Sequence, residues 1–339
     1  MSPDRSSPLT ARRRGQLLAA ALGVVVIVVA VIVVTGGGDD GDDPSEGDST
    51  TTASAPPSEV EFELVDVDLA QPTAPADALG SGDLTVALVP GTVRAEGDDL
   101  VALADDREAM APEPIIPLVS LDVAFPELET MFQDISDALT TDALADLVAF
   151  SGADEGMVED VVSSWLGSND LAAPTPIEAP GPMRIQTLAD PDLQVAALVY
   201  GEVLLAAGFE IEYLEPVPAA SDLVGAVGAR SADLVLAGGS SLLVALGGPA
   251  TPLTPADELR SAITARAEET AATALVPAAA DRALRMLTAP ATAEELDLET
   301  MSDLGRVTGL RSIGATAGCG EDPLCRPLLE SAYGLRFAS

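Results

Sequence analysis

Two carboxylates, Glu113 and Asp190, are the residues of this chain best placed to meet a cationic ligand: Asp190 follows the strand-like run 183–186, and Glu113 lies in the Pro-rich run APEPIIPLVS. Thr187 closes the same run that leads to Asp190. Gly239, Ser240 and Ser241 follow a later run, and Thr92 follows another. Open α/β sheets bind ligands in the loops beyond their strand ends, which makes these seven positions the candidate ligand set. The plainer reading of Glu113 and Asp190 is an ordinary solvated loop carboxylate. The hydroxyls of Ser240 and Ser241 suggest a nucleophile but have no base beside them. The chain contains no His, so imidazole bases, His-based triads and most zinc sites are excluded. No Walker loop, nucleophile elbow or distinctive carboxylate pair is present either. Binding without catalysis, and without a cofactor or metal, is the expectation. The two cysteines, Cys319 and Cys325, close the loop CGEDPLC and are expected to form a disulfide in an exported protein.

These residues need elements to hold them. Residues 183–186 read as a strand, 192–207 as an apolar helix ended by Gly208, 209–214 as a strand, 221–229 as a helix and 233–237 as a strand. That βαβαβ order signals a parallel sheet covered by helices. Helical stretches are expected over 255–274, a strand over 283–287, short helical pieces at 294–296 and 301–304, a strand from Ile313 and a helix over 327–333. In the first half, 62–68, 84–89 and 100–103 read as strands and 75–80 as a helix. The Pro-rich run APEPIIPLVS leads to helices over 127–139, 141–150 and 156–166, with Thr140 or Thr141 as an N-cap. ADALGSGDLTVALV (76–89) and VGAVGARSADLVLAGG (224–239) repeat one pattern of helix, Gly-containing turn, Asp and apolar strand, which suggests two similar α/β lobes.

Residues 17–34 are eighteen apolar residues without a charge, about 27 Å of helix and enough to cross a hydrocarbon core. Arg12, Arg13 and Arg14 precede them, so residues 1–14 are expected in the cytoplasm, 15–35 as an uncleaved signal anchor and the remainder outside the cell. Residues 36–59 are Gly, Asp, Ser, Thr and Pro with almost nothing to bury, as in an acidic tether. The formal net charge is −39 and all 16 basic residues are Arg. So acidic a surface repels phosphate backbones and excludes nucleic acid as a partner.

The later motifs resemble a known family, the substrate-binding proteins of glycine betaine, choline and related osmoprotectant ABC transporters. AEELDLETMSDL (293–304) and CGEDPLCRPLLESAYGL (319–335) carry the specific signal, supported by the GFEIEY step and the GAVGARSADL step. Motifs that follow these in the family precede them here, over 82–89, 103–107, 112–119 and 126–147. The resemblance implies a two-lobed α/β periplasmic-binding-protein-like fold (type II) in circularly permuted order. Lobe II would comprise 60–112 and 277–339, lobe I 113–168 and 183–276, and 169–182 would join the usual ends. Phe337 is then expected beside Phe62. The alternative is a chain whose halves pair with other chains. The implied partners are a small solute, a quaternary ammonium or other polar osmolyte, and a transporter permease. The family's cage of rings has no match here: DLVLAGGSS and AADRALRML lack an aromatic, and Trp165, Tyr200, Tyr213 and Tyr333 fall where packing is expected. A ligand-free module acting as a surface scaffold or sensor is the competing reading.

Overall fold

The computed structural model describes residues 61–68, 74–94, 100–151, 158–177, 181–309 and 311–338. The proposed anchor at 17–34 and tether at 36–59 lie outside them. Among the described residues no helix is long and apolar enough to cross a membrane. The chain runs β1 (Phe62–Asp66), α1 (Ala74–Ser81), β2 (Val86–Pro90), β3 (Val101–Leu103), β4 (Ile115–Ser120), α2 (Pro126–Ala138), α3 (Thr141–Ser151) and α4 (Val158–Ser168). It continues through β5 (Pro182–Thr187), α5 (Pro191–Ala206), β6 (Glu210–Tyr213), α6 (Ala220–Gly228), β7 (Leu234–Gly238), α7 (Gly239–Ala245), α8 (Ala256–Ala267) and β8 (Ala272–Ala274). Last come β9 (Leu284–Thr288), α9 (Pro290–Leu296), a 3-10 segment (Met301–Arg306), β10 (Arg311–Ala315) and α10 (Arg326–Tyr333).

The strands form two sheets with one design. The sheet ordered β6-β5-β7-β4-β8, with its helices, is termed lobe I, and the sheet ordered β1-β10-β2-β9-β3, with its helices, lobe II. In each, the first three strands are parallel and the last two antiparallel to their neighbours. β2, β4 and β7 are buried at every residue, as continuous apolar runs must be when both sheet faces are covered. Alternate residues serve the two faces: Ile115 and Val119 pack with helices α2 to α5, while Ile116 and Leu118 pack with α6 to α8. In lobe II, Val86 and Leu88 meet the 3-10 segment, the disulfide and α10, and Ala87 and Val89 meet α1.

The two lobes are joined by residues 104–114 and 275–283. These crossing segments run antiparallel side by side: Pro114 bridges Asp281, Arg282 N donates to Glu113 O at 3.0 Å, and Ile115 N donates to Ala280 O at 3.2 Å. Phe337 bridges Phe62, with Ala338 N donating to Phe62 O at 2.8 Å. Cys319 and Cys325 are disulfide-bonded.

Three local readings are corrected. The Pro-rich run contains β4, a central strand. Pro117 is tolerated because its carbonyl accepts from Leu275, so its missing N–H faces the side where the β8 ladder covers only Leu118–Ser120. The helical expectation over 255–274 ends early: Ala271 turns left-handed (φ 52°), and the next three residues pair with β4. Gly239, Ser240 and Ser241 are not a loop; they form the first turn of α7, whose apolar residues Leu242 and Leu243 pull the chain straight from β7 into the core.

Candidate functional site

α5 begins at the lobe I sheet edge, where Thr187 ends β5 and lies buried. Asp190 takes the N-cap position with Pro191 behind it, but its side chain caps nothing within the helix. The carboxylate instead accepts from Arg282 Nη2, and Arg282 Nε donates to Asp192 Oδ2. Arg282 comes from the second crossing segment and is 8% exposed; Asp192 is 3% exposed. Lobe II reaches the same carboxylate, since Thr92 Oγ1, in the turn after β2, donates to Asp192 Oδ2 at 3.0 Å. One buried carboxylate is therefore held by lobe I, lobe II and the connection between them.

The charges bias one another. Burial opposes ionisation of Asp192, but Arg282 and the hydrogen bond from Thr92 outweigh it and hold its pKa below the usual value. Asp190 moves the other way: burial, helped by the neighbouring Asp192 charge, raises it against the pull of Arg282. The Arg282 guanidinium is correspondingly held protonated, the adjacent carboxylates outweighing its burial.

Glu113, on the first crossing segment, lies at the same sheet edge. Its Oε1 accepts from Ser241 N at 3.0 Å and Ser241 Oγ at 2.9 Å, and its N–H donates to Asp281 Oδ1 at 2.7 Å. Oε2 is buried with no hydrogen-bond partner. It occupies the space a side chain on residue 238 would need, 1.6 Å from the position of a Cβ there, so Gly238 is what admits the carboxylate. Burial pushes the Glu113 carboxyl up to about 7; Arg282 and the Ser241 bonds oppose this, and the charge of Asp322 in the disulfide loop adds to it.

The fold thus gathers the seven sequence candidates along one edge but uses them differently. Asp190 and Thr92 join the Arg282 cluster, and Glu113 joins Ser241. Ser240 Oγ donates to Pro112 O at 2.7 Å, tying α7 to the crossing segment. Gly239 faces inward, its missing side chain's place taken by Leu259 and Ile116. Thr187 is engaged through its backbone with β7 and Val217. Sequence reasoning missed Arg282 and Asp192. The signal available for Arg282 was its placement, an arginine among AAADRAL, in a chain with only 16 basic residues. Further ties cross between the lobes: Arg94 pairs with Asp146 at 2.9 Å and donates to Asp142 O at 3.2 Å.

The aromatic rings pack elsewhere. Tyr200 meets Phe132 edge-on, and Trp165 and Tyr213 lie against the lobe I core. Tyr333 sits in the lobe II core and donates to Asp105. Among the described residues, no group of three His, Cys, Asp or Glu is disposed to hold a metal.

No family model matches the sequence, and no curated protein matches it. Solved structures overlap it loosely. The oligopeptide-binding protein AppA from Bacillus subtilis, in complex with a nonapeptide, is 12% identical with a TM-score of 0.32, over 65% of this chain and 55% of that one. NikA from Brucella suis, in complex with Fe(III)-EDTA, is 10% identical with a TM-score of 0.31, over 64% and 55%. The ABC transporter-associated periplasmic binding protein DppA from Helicobacter pylori, with peptide STSA, is 10% identical with a TM-score of 0.31, over 63% and 50%. The chain spans about half the length of the solved structures it matches.

Proposed function

We propose that this chain is an extracellular solute-binding protein of an ABC transporter, of the osmoprotectant type, that closes two lobes on a small polar solute. The observation that carries the reading is Asp192, a buried carboxylate bonded at once to Thr92 of lobe II and Arg282 of the connection. A joint of this kind changes whenever the lobes move, which is what a closure mechanism needs. Circular permutation belongs to the same proposal. Lobe I runs β4, β5, α5, β6, α6, β7, β8 along the chain. Lobe II has the equivalent order only when read from β9 through β10 and α10 to β1, α1, β2 and β3. The bridge between Phe337 and Phe62 falls at that passage. Anchoring through residues 17–34, with the two lobes outside the cell and a permease as partner, completes the proposal.

One observation favours the ligand-free module: the carboxylates of Asp190 and Asp192 are already occupied by the chain's own guanidinium. A thermal-shift series with glycine betaine, choline, carnitine, ectoine and polar amino acids separates the two. A solute at 100 times its Kd adds about 2.7 kcal/mol of stability. A stabilising hit supports the binding protein; uniform silence from a cooperatively folding sample supports the scaffold.

A further inference from the structure

The edge between the lobes is rich in acceptors and poor in rings. Two carboxylates, Asp190 and Asp192, hold the guanidinium of Arg282, and the charge of Glu113 acts on it as well. Glu113 is 8% exposed, yet its Oε2 has no donor. A buried carboxylate oxygen without a partner is costly, and the natural remedy is an N–H or O–H donor. That oxygen lies over Gly238 at the end of β7, next to β5, whose end leads to Asp190. The facing charges are Arg282 and Asp281 on the second crossing segment and Asp322 on the disulfide loop of lobe II. Arg282 itself demonstrates what this edge accepts: a planar cation that donates two N–H groups to two carboxylates.

We infer that the solute taken here is a small organic cation carrying N–H donors, a guanidine or a primary amine, with Glu113 as its added acceptor. A quaternary ammonium offers no N–H and depends on ring faces for its attraction. The inference rests on the solute-binding reading above and narrows its ligand class. Glu113 also makes binding depend on pH, because its carboxyl, pushed up to about 7, must lose its proton to receive the cation.

The test is calorimetric titration of the full chain with agmatine and with putrescine, alongside glycine betaine and choline, at pH 6 and pH 8. An amine is expected to bind, with Kd falling roughly tenfold from pH 6 to pH 8 as a group of pKa near 7 ionises. Glu113→Gln is expected to weaken binding roughly tenfold at pH 8 and to flatten the pH dependence, leaving the part that Asp190, also raised by burial, contributes. Gln keeps an acceptor for Ser241, and the wild-type pH profile gives a readout that does not depend on the variant folding. Binding of betaine or choline without amine binding overturns this inference and leaves the solute-binding reading standing. An amine affinity flat in pH and indifferent to Glu113→Gln also overturns it. Silence toward all four probes overturns this inference; the solute-binding reading falls only when the wider solute series is silent as well.

Discussion

Replacing Arg282 with Met tests the central cluster most directly. Asp192 is 3% exposed and takes bonds from Arg282, from Thr92 and from its neighbour Leu193 N–H at 3.1 Å. Removing the guanidinium leaves a buried carboxylate without its counter-charge, which costs about 3–5 kcal/mol. Thr92 and Leu193 still donate, and the Asp190 side chain, 23% exposed, can turn to water, so the lower end, about 3 kcal/mol, is expected. The sign with pH follows from the carboxyl. In the native protein Asp192 lies below its ordinary pKa, so it stabilises above its unfolded value and loses that contribution as pH falls through the folded one. Without Arg282, burial dominates and its folded pKa rises above the unfolded value. The penalty is then full at pH 8 and shrinks on acidification, because the folded variant can take up a proton. Urea unfolding at pH 8 and pH 5 should show a loss of about 3 kcal/mol at the higher pH and half of that or less at the lower. A loss under about 1 kcal/mol at pH 8, or one equal at both pH values, refutes the claim that Arg282 is the counter-charge of a buried Asp192.

Glu113→Gln should stabilise the protein above pH 7 by about 1–3 kcal/mol and change little at pH 5. A carboxyl raised to about 7 binds its proton more tightly folded than unfolded, so stability falls as pH climbs from about 4.5 to 7; chemical denaturation across that range checks it. Gly238→Ala has an unstrained backbone (φ −64°, ψ 142°) but places its Cβ on Glu113 Oε2. It should cost about 1–3 kcal/mol, most of it recovered when Glu113→Ala is added, as a double-mutant cycle would report. Tyr213→Phe removes a buried hydroxyl that has no partner, so the melting temperature should stay level or rise. Arg94→Ala should change stability by less than about 1 kcal/mol, since both partners are exposed. It should nonetheless enlarge the radius of gyration measured by small-angle scattering if the tie restrains the lobes.

Elements whose fate depends on local pattern were legible in the amino-acid sequence alone. The apolar runs of β2 and β7, the alternating strand β5 and the amphipathic helices α2 to α4 follow from periodicity, and Gly208 (φ 107°) ends α5 because glycine tolerates that backbone. Thr140 caps α3 through a bond from Ala143 N to its Oγ1 at 3.2 Å, as its position foretold. Motif order also placed Phe337 beside Phe62, and the two residues bridge. Other features were decided only by tertiary structure. β4 is a strand because β7 and β8 flank it, a gain that outweighs the local signal of Pro117. Arg282 and Asp192 are 90 residues apart, so nothing local reveals that one neutralises the other. Gly238 looks like any glycine at a strand end until a carboxylate from 125 positions earlier fills the space beside it. Sequence periodicity reports which face a residue takes, whereas charge pairing depends on which faces meet, and that is set by the packing of the whole chain.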